Sequence, residues 1–208
     1  AKTYDMVSAS VGVHPNTELE KAITVDEITA LASDSSVVAI GETGLDYFRS
    51  EGDLEWQRNQ FRTHIEAAKE LKKPLIIHSR EAKTDVIQIL KEEKADQVGG
   101  VMHCFVDDLE IAKAAIDLDF LISFSGIVTF KNAKPLQEVA RQIPLENMLI
   151  ETDSPYLAPT PLRGKTNQPA YVRYVAEFIA DLKEESLENV ALNTTKNYED
   201  KFNKINSL

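Results

Sequence analysis

The sequence predicts an α/β protein of the (β/α)8 TIM-barrel type, with this chain covering about six of the eight βα units. Three observations lead there. Six short β-rich runs alternate with longer amphipathic stretches. Most of the runs are continuously apolar, the pattern of parallel strands covered on both faces. Polar residues punctuate the ends of the runs at His14, Glu42, His78, His103, Ser125 and Asp153, at intervals of 28, 36, 25, 22 and 28 residues. A barrel of ~250 residues averages ~31 per unit. An open, doubly wound sheet of six strands is the alternative, but Gly41-Glu42-Thr43-Gly44 lacks the spacing of the Gly-rich phosphate loop such sheets use.

Each element has its own signal. The β-rich runs cover residues 5–13, 37–42, 74–78, 99–103, 120–127 and 147–152. The stretches between them read as helices. Thr24-Val25-Asp26-Glu27 is a capping box that opens a helix reaching about Ser33. Residues 56–72 carry apolar side chains at 61, 65, 68 and 71, a helical stripe. Tyr171, Val175, Phe178, Ile179 and Leu182 repeat that stripe, and a last helix covers 186 to about 205. Residues 155–164, rich in proline, read as a long loop, and long loops in compact domains are usually functional.

Composition narrows the class. A chain of 208 residues with 43% hydrophobic and 27% charged residues suits one globular domain, residues 1–208, and excludes disorder and fibrous repeats. Apolar runs such as Val37-Val38-Ala39-Ile40 are too short to span a bilayer, so no membrane partner is expected. The single cysteine, Cys104, cannot form an internal disulfide, which points to a reducing, cytoplasmic setting. The net charge of −11 argues against a broad basic face for nucleic acid. It leaves room for a small site where metal ions meet phosphates.

The polar residues at the strand ends carry the chemistry. In a parallel barrel those ends open onto one face, where active sites lie. Glu42, His78, His103 and Asp153 therefore converge from four strands. Two imidazoles and two carboxylates make a ligand set for Zn2+, Mn2+ or Mg2+ and metal-assisted hydrolysis. Each residue alone reads as readily as a satisfied histidine, a helix cap or a surface charge; four in register do not.

Specific motifs sharpen this. Gly12-Val13-His14-Pro15, Gly41-Glu42-Thr43-Gly44-Leu45-Asp46-Tyr47, Ile77-His78-Ser79-Arg80, Met102-His103-Cys104-Phe105 and Glu151-Thr152-Asp153-Ser154-Pro155-Tyr156-Leu157-Ala158-Pro159 occur in that order. The set resembles the TatD family of metal-dependent deoxyribonucleases, within the amidohydrolase-like barrels, and the resemblance runs from Gly12 to the Asn193-Thr194-Thr195-Lys196-Asn197 segment. It implies a barrel with one or two divalent ions that removes nucleotides from the 3′ end of single-stranded DNA. It implies that Glu42 bridges two metals, that His78 and His103 bind one of them, and that Asp153 lies near the other and orients or deprotonates the attacking water. DNA is then a substrate, no obligate protein partner is needed, and a monomer is expected. The family's first strand carries Asp-x-His-x-His, which this sequence lacks; its first strand matches the family's third. The expectation is that the sequence is part of a longer protein, since every later motif is intact. A metal-dependent hydrolase of another ester or amide, or a non-catalytic truncated homologue, are the competing readings.

Secondary candidates complete the set. His14 either contacts substrate phosphate or holds its turn through a backbone hydrogen bond. Arg80, and Arg163 from the long loop, are candidate phosphate contacts, with surface or salt-bridging roles as the plain alternative. Asp46 and Tyr47 shape the rim, Asp46 mainly as a structural group. His64 reads as a surface histidine of its helix. Cys104 should point away from the ligands, buried and inert. Ser123 and Ser125 lack a nearby base motif, which argues against a serine hydrolase.

Overall fold

A computed structural model describes residues 1–4 and 6–202. These form two compact units. One contains Ala1–Met102 and Asp117–Phe120; the other contains His103–Ile116 and Leu121–Asp200.

The first unit holds β1 (Ala9–Val11), α1 (Val25–Ala32), β2 (Val37–Asp46), α2 (Glu55–Leu71), β3 (Leu75–Arg80), α3 (Lys83–Glu92) and β4 (Gly100–Met102). Its strands pair in parallel in chain order, β1 with β2, β2 with β3 and β3 with β4. The expected capping box forms: the Thr24 side chain accepts from the Glu27 amide, and the Glu27 carboxylate accepts from the Thr24 amide at 2.9 Å. Thr24→Ala should therefore lower the stability of this unit by about 1 kcal/mol, read as a shift in urea midpoint at unchanged slope. The apolar stripe of α2 packs Phe61, Ile65 and Ala68 inward.

Two sequence expectations change here. The first run was expected over 5–13, but the strand is only Ala9–Val11; position 5 lies outside the described residues. β2 runs four residues past its expected end at Glu42, to Asp46. Gly44 makes that extension possible: it lies at φ +135° opposite His78, and a Cβ there would collide with the His78 carbonyl oxygen. The β2–β3 register is irregular between Ile40 and Thr43, so Glu42 lies within β2 at a bulge.

His64 is a further correction. It is not on the surface; it is fully buried on the inner face of α2. Its Nε2 accepts from the Val13 amide at 2.9 Å and its Nδ1 lies 2.7 Å from the Gln60 carbonyl. Position 64 sits between 61 and 65 on the same apolar stripe, and two backbone partners satisfy its ring there.

The second unit holds α4 (Leu109–Ile116), most of β5 (Phe120–Phe124), α5 (Lys134–Gln142), β6 (Met148–Ile150), α6 (Val172–Lys183) and nearly all of α7 (Leu187–Phe202). β5 and β6 pair in parallel. Buried Ile122, Phe124, Val139, Met148, Val175 and Ile179 form its core. The expected end of the last helix near position 205 lies outside the described residues. After β6 the chain runs without regular structure until Pro169, with Asn167 bonding the Thr152 and Tyr156 carbonyls to hold that loop. No helix among the described residues is long and apolar enough to cross a membrane.

Candidate metal centre

In the first unit, Glu42, His78 and His14 place one ligand atom each within 4.8 Å of the others. Neighbouring strands bring them together: His14 follows β1, Glu42 lies at the bulge of β2, and His78 lies in β3. His78 stands between two carboxylates. Its Nδ1 is 2.9 Å from Glu42 Oε1 and its Nε2 is 3.1 Å from Asp46 Oδ2. Asp46 is 1% exposed, whereas Glu42 is 31% exposed.

Asp46 is built to be an anchor. Its Oδ1 accepts from the Phe48 and Arg49 amides, and its Oδ2 accepts from Asn16 Nδ2 at 3.0 Å. Burial would raise the Asp46 carboxyl, but these donors and His78 outweigh it and hold it below the usual carboxylate range. Asp46 is an acceptor for a ring proton on His78 Nε2. With the proton there, the Nδ1 lone pair faces a Glu42 oxygen 2.9 Å away, a nitrogen and an oxygen donor set side by side for a cation. A divalent ion fits that chemistry.

His14 meets Glu42 differently. Its Nδ1 accepts from the Asn16 amide at 3.1 Å, so the neutral ring carries its proton on Nε2, 3.6 Å from Glu42 Oε1. Burial keeps His14 neutral by pushing its pKa down, against the opposing pull of Glu42. As oriented, His14 offers an N–H to an anionic oxygen; ligating a metal through Nε2 requires giving up the Asn16 amide.

The second unit repeats the pattern. His103 Nδ1 lies 3.0 Å from Glu151 Oε2, and its Nε2 lies 3.5 Å from Asp153 Oδ1. Ser123 Oγ donates to the same Glu151 oxygen at 2.5 Å. Glu151 is 17% exposed and Asp153 is 32% exposed. The less exposed carboxylate again holds one ring nitrogen while the other nitrogen faces a more exposed carboxylate. Asp153 reaches that position with its backbone in the left-handed region, φ 57°, just past the end of β6.

The remaining sequence candidates have other partners. The Arg80 guanidinium stacks 3.9 Å over the Phe48 ring in the first unit, and Arg163 stacks 3.6 Å over Phe130 in the second. Tyr47 Oη donates to Asp85 at 2.6 Å and accepts from Arg58. Cys104 is half-buried rather than fully buried, with Sγ 3.1 Å from Ser125 Oγ. β4 has already ended at Met102 and Cys104 lies at φ 45°, so strand alternation does not govern it. Asp46, Asn16 and Glu151 are the contributors that sequence reasoning undervalued. Asp46 and Glu151 stand inside the sequence motifs, Glu151 two residues from Asp153; Asn16 left no trace.

Comparison with known proteins places these observations. The family model described as "TatD related DNase" matches residues 1–203. The metal-dependent hydrolase YcfH of Escherichia coli K12 is 50% identical over 194 residues, covering 93% of this chain and 73% of YcfH. The metal-dependent hydrolase YabD of Bacillus subtilis is 48% identical over 197 residues, covering 93% of this chain and 76% of YabD. Both carry names that mark them as uncharacterized. The crystal structure of YjjV, a TatD homologue of E. coli K12, superposes with TM-score 0.89 at 27% identity, covering 97% of this chain and 79% of YjjV. A TatD-family hydrolase of Entamoeba histolytica superposes with TM-score 0.83 at 25% identity, covering 94% of this chain and 74% of its own. The fold is thus the α/β architecture of those structures.

Proposed function

The chain belongs to the TatD family, and from that premise we propose that it is a metal-dependent phosphodiesterase acting as a 3′-to-5′ exonuclease on single-stranded DNA. The observation that carries the reading is the carboxylate–imidazole–carboxylate series in each unit, Asp46–His78–Glu42 and Glu151–His103–Asp153.

Glu42 and His78 would hold a divalent ion in the first unit; His103 and Asp153 supply the matching donors in the second. When bound, such an ion supplies positive charge for the non-bridging phosphate oxygens and lowers the pKa of a water. Asp46 and Glu151 each fix one nitrogen of a histidine and leave the other as a lone-pair donor. His14 presents its Nε2–H to a phosphate oxygen, the contact that its tautomer favours. Asp153, a third exposed, takes the proton of the attacking water at a carboxylate oxygen. The chain carries a net charge of −11, so cations held by these residues, rather than a basic surface, would meet the substrate.

The identity of the bond is tested with an end-labelled single-stranded oligonucleotide beside a panel of small esters and amides, with Mg2+, Mn2+ or Zn2+. The expected result is a ladder shortened from the 3′ end. Hydrolysis of the esters or amides with no cut in DNA would replace this reading by the competing hydrolase.

Asp46 gives a second test. In Asp46→Asn the retained oxygen keeps the Phe48 and Arg49 amides, while the amide nitrogen gives up the Asn16 contact and presents a donor to His78 Nε2. Metal affinity should fall about 10- to 100-fold, measured by calorimetric titration of Mn2+. Unchanged affinity would remove Asp46 from the site.

A further inference from the structure

The first unit contains a cavity of about 320 Å³ between the β1–α1 loop and the first turns of α2. Glu18, Leu19 and Ile23 line one wall, and Trp56, Asn59 and Gln60 the other. We propose that this cavity is a base-binding subsite that takes one unstacked nucleobase of a single-stranded nucleic acid. The proposal rests on the phosphodiesterase reading and extends it from the scissile group to the substrate's bases.

Four observations carry it. The cavity lies on the side of the unit where the strand ends open: the β1–α1 loop leaves the carboxyl end of β1, and α2 begins after the carboxyl end of β2. Gln60 joins it to the candidate centre, for its Nε2 donates to the Val13 carbonyl at 3.3 Å, one residue before His14. The lining pairs a half-buried indole and aliphatic side chains with the polar ends of Glu18 and Asn59. That combination suits a flat ring with a hydrogen-bonding edge: the ring lies against Trp56, and an exocyclic amino group donates to Glu18 or Asn59. The lining contains no lysine or arginine and one carboxylate. It therefore accepts an uncharged base and repels a phosphate, which keeps the backbone outside, toward His14. The volume lies at the lower end of ligand pockets and suits a single base.

Trp56 is the chain's single tryptophan, so its fluorescence reports this cavity alone. The test titrates a tetradeoxycytidylate with phosphorothioate linkages, and an abasic tetramer with the same linkages, into the protein with Mg2+ present. The base-bearing probe should quench the emission saturably and bind about 10-fold more tightly than the abasic one, the change expected from one base stacked on an aromatic ring. Trp56→Phe should keep that preference by calorimetry and Trp56→Ala should lose it. Ala22→Phe, placed on the exposed loop and filling the cavity, should abolish both quenching and preference while leaving the α2 packing intact. Equal affinity for the two probes, with no quenching, would overturn the subsite. The two readings separate cleanly. A protein that cuts DNA without quenching keeps the nuclease and loses the subsite, while one that quenches with bases and cuts nothing keeps the subsite and loses the nuclease.

Discussion

Glu42→Ala should reduce metal-dependent phosphodiester hydrolysis by on the order of 10³-fold, the scale seen when one preorganised electrostatic group is removed from a reacting centre. Glu42 is the partly exposed oxygen donor 2.9 Å from His78 Nδ1. Removing the carboxylate removes the second ligand of the candidate centre and the negative charge 3.6 Å from His14 Nε2. The loss should appear in kcat at saturating Mg2+ and persist at higher metal concentration. Glu42→Gln should recover little, because an amide is a weak ligand for a hard cation. The fold should survive both changes, since Glu42 is a third exposed and sits at a bulge. An unchanged urea midpoint beside lost activity would establish that. Retained activity in Glu42→Ala would remove this residue from the machinery and favour the non-catalytic reading.

The second large effect is on stability and centres on His64. His64→Ala should cost about 3–4 kcal/mol, combining a cavity in a packed helix face with the unpaired Val13 amide. His64→Leu fills the space and leaves only the amide unpaired, so it should cost about 1–2 kcal/mol. A surface histidine would show neither, with both changes within about 0.5 kcal/mol. Urea midpoints of the three proteins decide. The pH dependence has a definite sign. Burial holds His64 below its ordinary value, opposed in part by the Gln60 carbonyl, and burial does the same for His14. The unfolded chain then binds protons that the folded chain does not. The stability tied to these rings is complete above the unfolded pKa, about 6.5, and declines as pH falls toward the depressed folded values. Wild-type stability should fall between pH 7 and pH 5, and His64→Leu should show a shallower fall. A variant as acid-sensitive as the wild type would shift that role to other groups. Because His64 holds Val13, its loss should also loosen His14 and lower activity beyond the change in folded fraction.

Some of this was legible in the sequence for physical reasons. Strand periodicity and chain direction place His103 and Asp153 just past the carboxyl ends of β4 and β6, and Glu42 and His78 in the carboxyl-terminal parts of β2 and β3, and the capping box at Thr24 needs only local contacts. Other features depend on what packs against them. β2 runs through Glu42 to Asp46 because Gly44 lets its backbone approach His78, so a run judged by apolar composition stops too early. With the strand cut short, Asp46 looked like a rim residue rather than the buried partner of His78. Glu151 acts on His103 with Ser123 as a co-donor, a contact between residues 28 apart in the chain. Residue type alone assigns His64 to the surface, although its position lies on the apolar stripe. The cavity beside Trp56 depends on the path of the β1–α1 loop, which no periodic pattern encodes.

The most direct measurement is metal-dependent DNA cleavage by the chelator-stripped protein. An end-labelled single strand would be incubated with the stripped chain, then with Mg2+, Mn2+ or Zn2+ restored in turn. The expected result is no cleavage without metal and recovery on adding at least one of these ions, with the same ion failing to rescue Glu42→Ala. Cleavage that persists in chelator, or rescue of the variant to the wild-type rate, would contradict it.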